Sequence, residues 1–65
     1  MQTDPAITIT VTLSDAQAEA FAQFLKRVGL TDFAPLAVGQ EEAYAMLSAA
    51  TAIRLELAHA GYAPR

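Results

Sequence analysis

The sequence predicts an α+β fold that is mostly helical, with the order strand, helix, short helical turn, helix. Residues 7–13 alternate apolar residues with threonine, which is the period-2 pattern of a strand with two different faces. Two later segments carry apolar residues at helical spacing, and glycines stand at their ends. A chain of 65 residues holds one domain at most. We expect a flexible arm over 1–6, the domain over 7–62 and a tail over 63–65.

The predicted strand, Ile7–Leu13, has no second strand to pair with in this chain. An unpaired strand leaves every second N–H and C=O group open. We therefore predict a homodimer in which two copies form an antiparallel two-stranded ribbon across a two-fold axis. The apolar face, which we assign to the dimer interface and to closing the core, consists of Ile7, Ile9, Val11 and Leu13. The outward face consists of Thr8, Thr10 and Thr12.

The first predicted helix covers Asp15–Val28. Ser14 and Gln17 have the spacing of a capping box, in which the side chain of each residue accepts a hydrogen bond from the backbone N–H of the other. Gly29 is predicted to end the helix in a Schellman turn that brings Leu30 back to Leu25. The apolar stripe of this helix consists of Ala18, Phe21, Phe24, Leu25 and Val28.

Residues 30–39 predict one helical turn or an ordered loop. Thr31 is a candidate cap, and Pro35 is tolerated in a first turn. The last predicted helix covers Gln40–Ala60 and ends at Gly61 in a second Schellman turn. In that turn Tyr62 folds back on Leu57, and Pro64 prevents the helix from continuing.

The last helix has more apolar surface than one neighbouring helix can cover. One stripe consists of Ala43, Met46, Ala50, Ile53, Leu57 and Ala60. A second consists of Tyr44, Leu47, Leu55 and Ala58. Since an apolar surface of this width needs a partner, we assign Tyr44, Leu47 and Leu55 to the dimer interface or to a different protein partner.

The composition argues against several kinds of function. The chain has no cysteine and one histidine, His59, so disulfides, thiolate metal sites and a structural zinc site are not expected. No catalytic motif is present, and adjacent Glu41 and Glu42 fit a helix N-terminus better than acid–base catalysis. His59 is interpreted as a cation near a helix C-terminus, with a pH switch as the alternative. We expect no enzyme activity, cofactor or small-molecule substrate.

The sequence also gives an expectation about location. No apolar run approaches the roughly 18–20 residues that span a bilayer. The start, MQTDPA, has neither the basic region nor the apolar core of an export signal. We therefore expect a cytoplasmic protein without a membrane partner.

The segment ITITVTLSDAQ, followed by a helix ending in VGL, resembles the start of ribbon-helix-helix repressors and antitoxins. The resemblance covers residues 7–30. In that family the outward residues of the ribbon enter the DNA major groove, which implies base reading by Thr8, Thr10 and Thr12 and phosphate contacts by Lys26 and Arg27. The net charge of −3 and the acidic Asp32, Glu41 and Glu42 depart from a DNA-binding pattern.

A second resemblance, through FLKRVG, EEAYAM and AGYAPR, is to a family of small uncharacterised bacterial proteins, which look like accessory or mobile-element genes.

Two functions remain open from the sequence. The first is a dimeric ribbon-helix-helix-like regulator that binds operator DNA through the strand. The alternative is an acidic modulator, such as an antitoxin or a phage or mobile-element inhibitor, that binds a bacterial protein and no DNA. For that alternative the contact candidates are the second stripe of the last helix with Tyr44, Tyr62 and Arg65, because Tyr and Arg are favoured at interfaces.

Overall fold

The structure, a computed structural model, describes residues 5–64, and every regular element in that range is helical. Helix α1 covers Asp15–Arg27, and helix α2 is a single turn over Leu30–Phe33. A 3-10 turn over Ala34–Leu36 follows, and helix α3 covers Gln40–His59. The expected arm falls largely on residues 1–4, which lie outside the described range, as does Arg65 at the end of the expected tail.

The prediction of a strand over residues 7–13 is wrong. Residues 5–14 belong to no strand, and residues 5–64 contain no sheet. The α+β class, and with it the two-stranded ribbon of a ribbon-helix-helix-like dimer, is therefore overturned in favour of an all-helical fold. Alternation and β-propensity describe how side chains fit a sheet, whereas a strand exists only through its ladder of hydrogen bonds. Within residues 5–64 no backbone hydrogen bond joins segment 5–13 to another peptide group.

Helix α1 begins as the sequence predicts. The Ser14 hydroxyl accepts a hydrogen bond from the Gln17 backbone N–H at 3.1 Å, and the Gln17 side chain accepts one from the Ser14 N–H at 2.9 Å. This capping box satisfies two donors that would otherwise have no partner within the helix. Asp15 in the first turn, and Lys26 and Arg27 in the last, complement the helix dipole.

The end of α1 differs from the prediction. Val28 leaves the helix in an extended conformation, with φ −78° and ψ 149°, and Gly29 has a negative φ of −143°. No Schellman turn forms here, because Gly29 acts instead as the N-cap of α2. Its N–H donates to the Asp32 carboxylate at 2.7 Å, which draws the chain at once into the next helical turn. Thr31, predicted as a cap, lies inside α2.

The end of α3 has the predicted Schellman turn. The Tyr62 N–H donates to the Leu57 carbonyl at 2.8 Å, and the Gly61 N–H donates to that of Ala58 at 3.0 Å. Gly61 has a φ of 104°, a conformation that side-chain-bearing residues rarely adopt. The turn directs Tyr62 towards α1, where its hydroxyl donates a hydrogen bond to Asp15.

Helices α1 and α3 form an antiparallel pair, since the end of α3 is bonded through Tyr62 to the start of α1. The α2 and 3-10 turns connect the two helices and pack on α3. Within residues 5–64 the buried side chains are few, and three of the four are alanine: Ala18, Ala22, Leu25 and Ala43. Alanines let the helices approach closely, but they bury little apolar area.

The chain has far more surface than a compact monomer of its size. Its accessible surface is 5507 Å² for 6.9 kDa. A compact monomer of that mass exposes about 4,000 Å². The radius of gyration is 13.1 Å, against about 10.7 Å for a compact domain of this length. The fold therefore leaves roughly 1,500 Å² more surface exposed than a self-sufficient domain would.

Candidate protein interaction surface

An open groove with a volume of about 650 Å³ lies between segment 5–13 and α3, and we call it the apolar groove. The segment forms its first wall through Ile7, Thr8, Ile9, Val11 and Leu13. The apolar side chains of this wall are exposed, from 86% for Ile7 to 41% for Leu13. Full burial of one such side chain contributes about 1.5–3 kcal/mol. Covering this wall would therefore stabilise the chain substantially.

Helix α3 forms the second wall with Ala49, Ala52, Ile53, Glu56 and Leu57. Because alanine side chains are short, this wall projects little from the helix. Ile53 beside them is 41% exposed. Residues 43–53 contain no charged side chain, so α3 shows three uncharged turns. A helix that is apolar around most of its circumference is normally buried, yet Ala43 alone is buried among the residues of α3.

Phe21 of α1 lines the groove between the two walls, and this position corrects the sequence interpretation. Phe21 and Phe24 were expected under the apolar face of the segment, inside the core. Both remain exposed, at 41% and 50%, and their rings stack with centroids 5.7 Å apart. Within residues 5–64 the core consists of Leu25, the α1 alanines Ala18 and Ala22, and Ala43 of α3.

The predicted DNA-contacting residues lie on two different parts of the chain. Thr8 lines the apolar groove, whereas Thr10 and Thr12 are exposed on an unpaired segment. The threonines precede the start of α1, while Lys26 and Arg27 lie in its last turn. The two ends of α1, Asp15 and Arg27, are about 18 Å apart along the helix axis. Arg27 donates a hydrogen bond to Gln23 at 3.3 Å.

The predicted interface residues fall into two groups. Ile7, Ile9, Val11 and Leu13 line the apolar groove together. Tyr44 and Leu55 are exposed, and Leu47 is half-buried. Leu55 borders a different cavity of about 330 Å³, together with Arg54 and Tyr62. The second stripe predicted on α3 therefore does not line the groove with the segment.

Tyr62, a predicted partner contact, is used inside the chain. Its hydroxyl donates to the Asp15 carboxylate, and this hydrogen bond is the main reason that the pKa of Tyr62 lies above its ordinary value of 10.0. Partial desolvation and the negative charges of Asp15 and Glu19 raise the pKa further. The contact makes Tyr62 a latch between the two long helices.

The acidic candidates have local structural roles. Asp32 accepts the Gly29 N–H, and Glu42 accepts the Val38 N–H at 3.2 Å. His59 lies 3.5 Å from Glu56 in an exposed pair that contributes little to stability. Across residues 5–64, no cluster of three or more histidine or acidic side chains is arranged to hold a metal ion.

Sequence reasoning missed part of the groove. Ala49 and Ala52 were not singled out, and Ile53 and Leu57 belong to the first predicted stripe rather than to the one assigned to an interface. The signal that could have found this wall is the uncharged run 43–53, which surrounds the helix rather than forming one stripe. Such a run predicts apolar surface on more than one side of α3.

Comparison with known proteins gives a family without a known activity. No curated protein matches the chain, and no solved structure does either. None of the helices within residues 5–64 has the length and apolar character to cross a membrane. A family model matches residues 1–65, the whole chain. The protein therefore belongs to DUF7706, a family of unknown function.

Proposed function

We propose that this protein is a non-enzymatic interaction module that acts by binding protein through the apolar groove. The observation that supports this most strongly is the combination of a small alanine core with an open groove lined by Ile7, Ile9, Val11 and Ile53. Soluble monomers rarely expose contiguous apolar patches of this kind, and such patches mark interaction sites.

The size of the exposed surface supports a protein as the ligand. A standard interface buries about 800 Å² on each partner, and obligate interfaces bury more. The roughly 1,500 Å² by which this chain exceeds a compact monomer is of that order. Binding DNA through the threonines receives no comparable support, because the ribbon that would have presented them is not formed.

The test is photo-crosslinking in the native host. A photoreactive residue replaces Val11 on the groove wall or, as the matched control, Ala20 on the exposed side of α1. We expect one recurrent protein adduct at position 11 and none at position 20, each identified by peptide mass spectrometry. Equal labelling at both positions, or no protein adduct at position 11, would contradict the proposal.

A further inference from the structure

We infer that the occupant of the apolar groove is helix α3 of a second copy of this chain. Each copy would place its α3 between the segment and the α3 of the other copy, in an isologous two-fold arrangement. This inference rests on the proposed function, because it names the partner that the groove binds.

The amount of exposed surface fits a homodimer. If each chain covers the roughly 1,500 Å² that it exposes beyond a compact monomer, the dimer buries about 3,000 Å² in total. Obligate homodimers bury about 2,000–5,000 Å². A dimer of that class supplies the core that Ala18, Ala22, Leu25 and Ala43 do not supply alone.

The shape of α3 fits a close helix pair. Ala49 and Ala52 lie on the groove side of α3, and small side chains there allow two helices to approach to the short end of the usual 8–10 Å between axes. The partner helix would then contact Ile53 on one side and the apolar wall of the segment on the other.

Charge favours a copy of this chain over a basic partner. Glu56 is the only charged residue among those that line the groove, so the groove has no acidic rim that would recognise a basic protein. The matching surface must itself be uncharged, and α3 provides such a surface over residues 43–53. An uncharged stretch of helix in a groove whose one charged lining residue is Glu56 takes few ionic groups out of water.

The arrangement does not require segment 5–13 to pair as a strand. Side chains of an extended chain project to two faces, whereas its N–H and C=O groups point sideways between them. Covering Ile9 and Val11, whose side chains line the groove, therefore requires no ladder of backbone hydrogen bonds. The helices α3 make the central contact in this dimer.

Single cysteines test the contact directly, since the natural chain has none. The variants Ala49→Cys and Ala52→Cys place a thiol near the proposed two-fold axis. There the Cα atoms of the same residue in the two copies can come within the roughly 4.4–6.8 Å that a disulfide spans. We expect mild oxidation to convert at least one of them to a covalent dimer at least about tenfold faster than Ala20→Cys. Equal rates for all three variants would overturn the inference.

Charge insertion and salt give a second readout. Ala52→Glu is expected to weaken self-association by at least about 100-fold, because it places a carboxylate in the helix contact. Ala20→Glu, the same change on the exposed side of α1, should leave association within about threefold.

Self-association of the natural chain should stay constant or strengthen as salt rises, since two copies of charge −3 repel each other. Association that weakens with salt would contradict the uncharged contact.

The outcomes separate this inference from the proposed function. A crosslink from position 11 to a different protein, with the purified chain monomeric, overturns the second-copy inference and leaves the proposed function standing. If position 11 gives no protein adduct beyond those at the control position 20, both the second-copy inference and the proposed function are overturned.

Discussion

Helices α1 and α3 show two different ways in which a sequence determines a helix. Helix α1 buries three residues in 13, has a capping box at its start and has charged residues that suit both ends. Helix α3 is longer, at 20 residues, yet one of its residues is buried and three of its turns carry no charge. Local signals and contacts within the chain account for α1. For the exposed surface of α3 we infer a partner that covers it.

The largest expected effect tests the buried side of α1. Leu25 is 6% exposed, and Leu25→Ala leaves a cavity that the small core cannot fill. We expect a loss of about 2–5 kcal/mol in the free energy of unfolding. Denaturant unfolding at fixed protein concentration measures it. A loss well below 1 kcal/mol would mean that the contact between α1 and α3 contributes little to the fold.

The next effect tests the groove from the segment side, where adjacent residues differ. Ile9 lines the apolar groove and Thr10 does not. Ile9→Glu should weaken self-association by about 100-fold, because a charge would enter an apolar contact. Thr10→Glu, one residue along the same unpaired segment, should leave self-association nearly unchanged. Dilution experiments by light scattering measure both, and equal weakening would show that the two sides of the segment are equivalent.

A smaller effect tests the local signals at the start of α1. Ser14→Ala removes the acceptor of the Gln17 N–H and should cost about 1 kcal/mol of stability. Thr31→Ala is the matched control, because Thr31 lies inside α2 and is not its N-cap. Thermal unfolding should show a clear decrease in Tm for the first variant only. A similar decrease for both would mean that the capping box contributes nothing specific.

The smallest effect tests the latch between the helices, and it depends on pH. The hydrogen bond to Asp15 raises the pKa of Tyr62 in the folded chain above its unfolded value of 10.0. The stabilisation is therefore complete below about pH 10 and is lost as the pH rises through the raised pKa. We expect Tyr62→Phe to lower Tm slightly at pH 8, with the difference from the natural chain shrinking above pH 10.

The matched control for the latch is Tyr44→Phe, since no hydrogen bond of the Tyr44 hydroxyl occurs within residues 5–64. Its Tm at pH 8 should stay close to that of the natural chain, because the substitution removes no hydrogen bond within those residues. A pH-independent difference for Tyr62→Phe would show that the Asp15 contact does not stabilise the fold.

The helices could be predicted from the sequence because their signals are local. Ser14 and Gln17 determine where α1 starts, and Gly61 with Tyr62 determines how α3 ends. The end of α1 could not be predicted from Gly29 alone. A glycine can end one helix or begin the next, and the Asp32 carboxylate decides in favour of the second.

The state of segment 7–13 could not be predicted, because a strand is a property of a pair. The alternation did not separate two faces cleanly, because Thr8 lines the groove together with Ile7, Ile9, Val11 and Leu13. It could not show that a ladder forms. The α3 wall was missed for a related reason: alanines such as Ala49 and Ala52 give no strong apolar signal in a sequence, although their small size shapes the groove.

The most direct test asks whether the exposed surface of α3 and the segment is an interface. It uses sedimentation equilibrium of the purified chain at low micromolar concentration, with helix content measured in the same buffer. A homodimer has a mass of about 13.8 kDa, twice the 6.9 kDa of one chain, and its Tm should rise with concentration. We expect both results. A helical, cooperatively folded species of 6.9 kDa with a Tm independent of concentration would contradict the account.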